Sequence, residues 1–235
     1  MGSTRLPGKI LKEVDGVPLL KYMVRRVEKS SLIDKILIAT TINSEDQALV
    51  DFCAENNIEC YAGSEDDVLD RYYQAAKALK AKHVVRLTSD CPLIDPFILD
   101  RTIQLYFEEK VDYAANTVPP DIKKYPDGSD VEVFSFPDLE KIWNRAKDPK
   151  DREHVTFYFW RSDQKYKTAL LDNEHDWGKY RITIDYPEDF EVIQFIIRSL
   201  DNAGKFGTME EIVDILIENP KIFETNAMYT YGMNW

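Results

Sequence analysis

The opening of the chain concentrates residue types that bind polyphosphates. They lie within the first nine positions and are Gly2, Ser3, Arg5, Gly8 and Lys9. Glycines let backbone N–H groups approach phosphate oxygens closely, an arginine binds them through its planar fork, and a lysine binds them as a compact charge. We interpret this segment as a phosphate-binding loop. A disordered basic N-terminus is the alternative that these residues alone leave open.

Two aspartates each follow a predicted buried strand. Asp90 comes after residues 83–87, and Asp185 comes after residues 180–184. Open parallel sheets bind ligands at the carboxyl ends of their strands, and carboxylates are suitable Mg²⁺ ligands. Two carboxylates that share Mg²⁺ bridging phosphates should lie within roughly 8 Å of each other. A helix cap or a turn is the alternative role for each aspartate.

Strand and helix patterns alternate through the first two thirds of the chain. Short apolar runs predict strands, and apolar residues at helical spacing predict helices. The predicted strands are residues 36–39, 58–61, 83–87 and 113–115, and the predicted helices are residues 18–28, 43–53, 67–79 and 95–109. This alternation predicts an α/β fold with a mainly parallel sheet and helices on both faces.

The pattern changes after Thr117. Turn residues there precede further predicted elements: strands at residues 131–134, 154–160, 168–171 and 180–184, and helices at residues 136–145, 187–200 and 208–218. The sequence contains no internal repeat and no low-complexity linker. We therefore interpret residues 1–235 as one domain, in which residues 118–180 form an elaborated region.

The charge balance excludes several classes of function. Lys and Arg number 30 and Asp and Glu number 42, which gives a net charge of −12. A chain this acidic is not built to bind nucleic acid or an anionic membrane surface. No apolar run approaches the roughly 20 residues of a membrane helix, and the N-terminus lacks the layout of a signal peptide. Three cysteines without metal-ligand spacing indicate free thiols in a reducing cytoplasm.

Five sequence blocks occur in an order that resembles one enzyme family. They are Ser3-x-Arg5-x-Pro7-x-Lys9, Ala39-Thr40-Thr41, and residues 63–72, 90–95 and 184–189. Together they are similar to the cytidylyltransferases that activate acylneuraminate and 3-deoxy-manno-octulosonate (KDO), above all to the spore coat polysaccharide, SpsF-like branch. The resemblance implies a Rossmann-like, three-layer nucleotide-diphospho-sugar transferase fold. It also implies an enzyme of surface polysaccharide biosynthesis that transfers CMP from CTP to a sugar acid, with Mg²⁺, and releases pyrophosphate.

The resemblance assigns residues by matching position. The nucleotide-binding set would be Gly2, Ser3, Arg5, Lys9 and Arg71, with Arg5 and Lys9 acting in catalysis by neutralising charge. The Mg²⁺ ligands would be Asp90 and Asp185. The residues near the sugar would be Asp127, Asp130, Arg152 and His154. A turn and a strand with an interface histidine are the alternative for this last set.

The beginning of the sequence departs from the family pattern. A hydrophobic strand and an Ala-Arg pair normally precede the opening loop, whereas this sequence begins at Met1, within the motif. We therefore expect an open slot in the sheet beside the nucleotide.

Two alternative functions are compatible with the same residues. A glycosyltransferase of similar sheet topology is one alternative, although Asp90-Cys91-Pro92 does not supply the Asp-x-Asp motif that such enzymes usually carry. A non-catalytic nucleotide-binding protein is the other.

Residues 157–160 are all aromatic, and one face of a strand made of them needs a second apolar surface. A helix of the same chain that covers this face is one explanation. A two-fold interface is the other, and with the pairing common in the family it predicts a homodimer.

Overall fold

The computed structural model describes residues 5–117, 124–161 and 165–229, and strands and helices alternate along them. The strands are β1 (Glu13–Val14), β2 (Val17–Pro18), β3 (Leu37–Thr41), β4 (Glu59–Gly63), β5 (His83–Arg86), β6 (Tyr113–Ala115), β7 (Glu132–Ser135) and β8 (Thr168–Leu170). The α-helices are α1 (Leu19–Val27), α2 (Gln47–Glu55), α3 (Val68–Ala78), α4 (Pro96–Glu109), α5 (Phe136–Arg145), α6 (Pro149–His154), α7 (Phe157–Arg161), α8 (Pro187–Ala203), α9 (Met209–Glu218) and α10 (Pro220–Asn226). The α/β class expected from the sequence is confirmed. None of the helices in these ranges has the length and apolarity needed to cross a membrane.

The largest sheet is mixed rather than mainly parallel. Its strand order is β5-β7-β6-β8, in which β6 and β8 run parallel while β7 is antiparallel to both of its neighbours. A parallel neighbour needs a crossover, usually a helix, whereas the described residues between β6 and β7 form turns and irregular chain. Strand β7 therefore lies beside β6 and runs in the opposite direction.

A second, parallel pair is formed by β3 and β4, from Leu37 opposite Glu59 to Thr41 opposite Gly63. Within the described ranges, no backbone ladder joins this pair to the four-stranded sheet. Helices α2 and α3 both pack against the pair.

Helices cover both faces of the four-stranded sheet. Successive strand residues point to opposite faces, so Ala114 and Val133 pack in one apolar cluster with residues of α1, α2 and α4. Tyr113 and Phe134 pack on the other side, with residues of α3, α5 and α7. This arrangement gives the three layers that the sequence predicts.

Two predicted strands differ in the structure. Residues 154–160 form the end of α6 and most of α7, because Asp148 caps α6, Pro149 occupies its first turn, and Val155 takes a positive φ of 59° that separates the two helices. Phe157 and Phe159 are buried within their own chain. Residues 180–184 are extended and make a single β-bridge, between Asp127 and Arg181. Their buried side chains, among them Ile182 and Ile184, pack with α8 and α9.

Candidate active site

The opening segment is held so that Lys9 turns toward the protein. Leu6 is buried in the cluster that includes α8 and α9. Gly8 takes a left-handed conformation, with φ of 65°, just before a short 3-10 helix at Lys9–Leu11. A glycine meets this backbone requirement without strain, and the Lys9 side chain is left only 17% exposed. Gly2 and Ser3, which the sequence places in the nucleotide site, lie outside the described residues.

Lys9 lies between the two aspartates predicted to bind metal. Its Nζ donates to Oδ2 of Asp90 at 3.0 Å and to Oδ1 of Asp185 at 2.8 Å. Two hydrogen bonds to the Asp90 carbonyl bring the aspartates together: the N–H of Ile184 donates to it at 2.9 Å, and the Thr183 hydroxyl donates to it at 3.1 Å. The two side chains share one nitrogen, so their separation meets the limit that a shared ion would impose.

The charges at this point are strongly coupled. Burial alone would lower the pKa of Lys9, but the charges and hydrogen bonds of Asp90 and Asp185 raise it above the ordinary value. Burial alone would raise the pKa of Asp185, but Lys9 and then Arg181 lower it. Lys9 is therefore a cation and Asp185 an anion across the neutral pH range.

Arg5 lies at the rim of the same cluster. Its Nη2 donates to Oδ1 of Asp185 at 3.4 Å, and its guanidinium lies 5.0 Å from the centre of the Tyr186 ring. The Tyr186 ring stacks on Tyr229, with ring centres 3.8 Å apart. Arg5 is thus held next to Lys9 on an aromatic surface while its side chain stays 38% exposed, where it can reach a ligand.

Arg181 joins this cluster to the turn at residues 125–130. Its Nη1 donates to Asp127, its Nη2 donates to Asp185 at 3.1 Å, and its Nε donates to Asp189 at 2.8 Å. Asp189 also caps α8, since it accepts from the N–H of Tyr186 at 3.0 Å. The role of Asp185 as the helix cap is therefore taken by another residue, and its side chain faces Lys9.

Asp127 and Asp130 form a second acidic group beside the first. Burial and the charge of Asp130 raise the pKa of Asp127 to about 7, although the charge and hydrogen bond of Arg181 lower it. Asp130 accepts from the Thr117 hydroxyl at 2.6 Å and from the N–H of Gly128 at 3.1 Å. Asp127 lies near Asp90, whose charge also raises the pKa of Asp127, and Asp130 and Asp90 both contact Cys91.

Cys91 lies between the two acidic groups and is an inert thiol. Its Sγ is 3.7 Å from Oδ1 of Asp90 and 3.8 Å from Oδ2 of Asp130. Burial and then the neighbouring carboxylates raise the pKa of Cys91 well above its ordinary value. A thiol that stays protonated is not a nucleophile, and Cys91, at 1% exposed, packs as a small interior residue.

The donor set at Lys9 fits a magnesium ion that also binds phosphates. Within the described ranges, no group of three or more His, Cys, Asp or Glu side chains is placed to hold a metal ion alone. Mg²⁺ usually takes only one or two protein carboxylates and completes its shell with water and substrate phosphates. Asp90 and Asp185 would supply those two carboxylates, and the Lys9 ammonium lies where they attract a cation.

Arg71 lies on α3, and the residue after it contacts the loop that carries Asp90. Its Nη1 donates to the Ser64 carbonyl, and its Nε is buried without a hydrogen-bond partner among the described residues. The next residue, Tyr72, donates its hydroxyl to the Leu87 carbonyl at 3.2 Å, in the loop that leads to Asp90. The place of Arg71 in the nucleotide pocket stays a prediction.

Arg152 and His154 lie on α6 and contact other helices. Arg152 donates from Nε to Asp67 at 3.0 Å and from Nη1 to the Trp143 carbonyl at 2.8 Å. The His154 ring stacks on Phe157, with ring centres 4.1 Å apart, and burial lowers the pKa of His154. These contacts tie α6 to α3, α5 and α7, and binding of the sugar by these two residues stays a prediction.

Sequence reasoning gave no role to Arg181 or Asp189. One signal was available, since an arginine opens the apolar run at residues 181–184 and a buried charge needs partners. No spacing rule, however, links Arg181 to Asp127, which is 54 residues away in the chain.

Comparison with known proteins identifies the family. Residues 1–232 match the family described as Cytidylyltransferase. The spore coat polysaccharide biosynthesis protein SpsF of Bacillus subtilis (strain 168) is 32% identical over 229 residues, which cover 94% of this chain and 92% of SpsF. A solved cytidylyltransferase from Leptospira borgpetersenii serovar Hardjo-bovis is 32% identical, with a TM-score of 0.87 over 95% of this chain and 92% of its own.

The fold extends to more distant enzymes. The solved CMP:2-keto-3-deoxy-manno-octonic acid synthetase complexed with CTP is 15% identical, with a TM-score of 0.61 over 84% of this chain and 95% of its own. This likeness confirms the nucleotide-diphospho-sugar transferase fold. With the family match along nearly the whole sequence, the chain belongs to the cytidylyltransferase family.

Proposed function

We propose that the protein transfers CMP from CTP to a sugar acid and releases pyrophosphate. The observation that carries the proposal is the meeting of Arg5 and Lys9 with Asp90 and Asp185 in one cluster. The cations suit a triphosphate, and the carboxylates suit the divalent ion that accompanies it. A neighbour of the same fold, the synthetase described above, has been solved with CTP bound.

In the proposed reaction, a hydroxyl of the sugar acid attacks the α-phosphorus of CTP in line with the departing pyrophosphate. Arg5 and Lys9 would bind the triphosphate oxygens and offset the negative charge that grows on the leaving group. Asp90 and Asp185 would hold Mg²⁺, which when bound neutralises phosphate charge and lowers the pKa of the attacking hydroxyl. No covalent intermediate with the protein is required, because positioning and charge neutralisation supply the catalysis.

The acceptor would lie on the side of Asp127 and Asp130. Both carboxylates adjoin Asp90 and accept hydrogen bonds, as sugar hydroxyls require. Arg152 and His154 are the remaining candidates for the sugar side, and Arg71 is the candidate for the nucleotide side. Substitution of each by glutamine, followed by separate measurements of KM for CTP and for the acceptor, tests these assignments.

We place the reaction in surface polysaccharide biosynthesis in the cytoplasm. The named role of SpsF and the free thiols Cys53, Cys60 and Cys91 support this placement. Deletion of the gene should deplete a CMP-activated sugar acid from the cytoplasmic nucleotide pool. An unchanged pool of CMP-sugars would contradict the placement.

We also propose that the chain forms a homodimer. Phe157 and Phe159 are buried within the chain, so the surface left for a partner is the half-buried Tyr158 and Trp160. Light scattering at micromolar concentration should give about twice the 27.3 kDa mass of one chain. Loss of the dimer in Trp160→Glu supports this surface, and a mass near that of one chain in the unsubstituted protein contradicts the dimer.

The reaction is tested by release of pyrophosphate from CTP in the presence of Mg²⁺ and a panel of sugar acids. The proposal predicts release that depends on one acceptor and yields a CMP-sugar. Consumption of a nucleotide sugar instead would favour a glycosyltransferase. Tight CTP binding without release, with any acceptor, would favour a non-catalytic nucleotide-binding protein.

A further inference from the structure

A single buried arginine contacts carboxylates on both sides of the candidate site. The Arg181 side chain is 8% exposed, and all three of its nitrogens donate hydrogen bonds. One nitrogen contacts Asp127, on the acceptor side, and another contacts Asp185, on the metal side. The two carboxylates therefore touch the same rigid, planar group.

The guanidinium is itself held from behind by Asp189, whose side chain is fully buried. Arg181 donates to both carboxylate oxygens of Asp189, from Nε at 2.8 Å and from Nη2 at 2.9 Å. Asp189 also accepts from Asn226 Nδ2 at 2.9 Å and from the N–H of Asp185 at 2.8 Å. A two-point contact of this kind prevents the fork from turning, so Nη1 and Nη2 present fixed directions to Asp127 and Asp185.

Charge compensation alone does not explain this arrangement. Lys9 already neutralises part of the charge of Asp185, and a lysine at position 181 would supply the same charge as the arginine. A lysine, however, has a single ammonium group and no fork, so it cannot contact Asp127, Asp185 and Asp189 in fixed relative positions. The geometry of Arg181, rather than its charge, distinguishes it.

We propose that Arg181 is a positioning residue that fixes the metal-side carboxylate Asp185 and the acceptor-side carboxylate Asp127 relative to each other. The inference rests on the proposed function, because that function gives the two carboxylates their separate roles. Arg181 contacts no substrate in this role. It sets the orientation of Asp185 toward the divalent ion and the distance from that ion to the acceptor.

Arg181→Lys tests the proposal, since it keeps the charge and removes the fork. Mn²⁺ alone is the probe, and its binding is measured by electron paramagnetic resonance. Groups that orient metal ligands typically contribute 10–100-fold to metal affinity or activity. We expect about tenfold weaker Mn²⁺ binding and a loss of about 10–100-fold in kcat/KM for the acceptor. Lys9 is present in both proteins, so its contact with Asp185 is common to the two measurements.

Arg198→Lys is the matched control. Arg198 donates through its fork to Asp15, but both side chains are about half exposed and lie on the surface. This variant should bind Mn²⁺ as the unsubstituted protein does. Unfolding midpoints are measured for both variants, so that a loss of Mn²⁺ binding is compared between folded proteins.

A folded Arg181→Lys that binds Mn²⁺ with unchanged affinity overturns the proposal, and so does an unsubstituted protein that does not bind Mn²⁺. Where Arg181→Lys does not fold, Asn226→Ala replaces it, because it removes the Asn226 hydrogen bonds to Asp189 and to the Arg181 carbonyl but keeps the guanidinium. Its Mn²⁺ binding should be several-fold weaker, and unchanged binding overturns the proposal. The two proposals fail in different measurements. If the proposed function is wrong, the unsubstituted protein releases no pyrophosphate with any acceptor, while the Mn²⁺ affinities of the two proteins can still be compared.

Discussion

The ammonium nitrogen of Lys9 lies 2.8 Å from Oδ1 of Asp185. In the proposed function, Lys9 would bind the triphosphate and Asp185 would bind Mg²⁺, so this contact joins two groups that would each bind a different part of the substrate complex. Without a ligand, Lys9 and Asp185 form an ion pair, so both partly buried charges are compensated. In the proposed reaction, Lys9 would therefore have to leave Asp90 and Asp185 for a triphosphate oxygen, and the two carboxylates would then hold Mg²⁺.

Lys9→Met tests this exchange, because it removes the charge and keeps most of the side-chain length. Without nucleotide, Mn²⁺ should bind about tenfold more tightly, since no internal cation competes for Asp90 and Asp185, and tenfold corresponds to about 1.4 kcal/mol. With CTP and acceptor, turnover should fall by about 100-fold or more, because a charge that stabilises the leaving pyrophosphate is gone. Isothermal titration and pyrophosphate release measure the two effects.

Lys35→Met is the control for that substitution, because Lys35 makes an ion pair with Glu59 in which both side chains are more than half exposed. It should change neither Mn²⁺ binding nor turnover. Retention of turnover within a few-fold in Lys9→Met, with no gain in Mn²⁺ affinity, would show that Lys9 neither binds the triphosphate nor competes with the metal ion.

Gly128 is required by the turn that presents Asp127. It takes a φ of +99°, and a Cβ at this position would lie 2.3 Å from the backbone nitrogen of Thr183. Gly128→Ala should therefore lower the free energy of unfolding by more than about 3 kcal/mol, the range of a severe core clash. Gly16→Ala is the matched control, because Gly16 also has a positive φ, of +79°, but a Cβ there meets no atom within 4 Å.

Only the backbone strain, about 1–2 kcal/mol, should appear in Gly16→Ala. Urea unfolding of the two variants separates the clash from the strain. Equal losses of stability in both would show that the close approach of Gly128 to Thr183 is not maintained in solution.

Elements with strong local signals were predictable from sequence. The predicted helices at residues 95–109 and 136–145 correspond to α4 and α5, Pro96–Glu109 and Phe136–Arg145. Asp95 and Ser135 cap these helices, and each helix has a proline in its first turn. Caps and prolines act within a few residues, so a sequence pattern is enough to find them.

Elements decided by tertiary contacts were not predictable in the same way. Consecutive aromatic residues carry no period, so residues 157–160 suited a strand as well as the helix α7 that forms. The two strand ends predicted that Asp90 and Asp185 would meet, and the resemblance added Lys9 to the site, but nothing local indicated that Lys9 would pair with both carboxylates. Arg181 escaped notice because its partner Asp127 lies 54 residues away in the chain, and no local pattern showed that the nearby Asp185 and Asp189 would turn toward the same guanidinium.

The acidity of Asp127 predicts a pH dependence of stability. Burial and Asp130 raise the pKa of Asp127 from 3.8 to about 7, against the influence of Arg181. Between these values the folded protein retains a proton that the unfolded chain has released. The stabilisation from this group is therefore complete below pH 4 and is lost as the pH rises to about 7, by at most about 1.4 kcal/mol per pH unit.

Asp127→Asn cannot ionise, so it should gain stability relative to the unsubstituted protein between pH 5 and pH 8. Urea unfolding at both values measures the change. Asp172→Asn is the control, since the exposed Asp172 pairs with Lys124 and has a lowered pKa. Asp172 is therefore ionised at both pH values in the folded and the unfolded chain. A constant difference between Asp127→Asn and the unsubstituted protein would contradict the raised pKa.

Glu132 compensates the charge of the partly buried Arg86, whose side chain is 17% exposed. Glu132 is 2% exposed and accepts hydrogen bonds from Arg86, from the Thr156 hydroxyl and, at 2.6 Å, from the Tyr113 hydroxyl. Glu132→Gln keeps an acceptor for the hydroxyls but leaves the Arg86 charge without an anion. The free energy of unfolding should fall by about 3–5 kcal/mol, the cost of breaking a buried ion pair.

The double variant Arg86→Met/Glu132→Gln should be more stable than Glu132→Gln alone. It removes the uncompensated Arg86 charge, and the amide oxygen introduced at position 132 still accepts hydrogen bonds from the hydroxyls of Tyr113 and Thr156. A double-mutant cycle from urea unfolding gives the coupling directly. The exposed pair Lys35–Glu59 should show a coupling below about 1 kcal/mol in the same experiment. A coupling between Arg86 and Glu132 as small as that would mean that water reaches the pair and compensates Arg86 without the carboxylate.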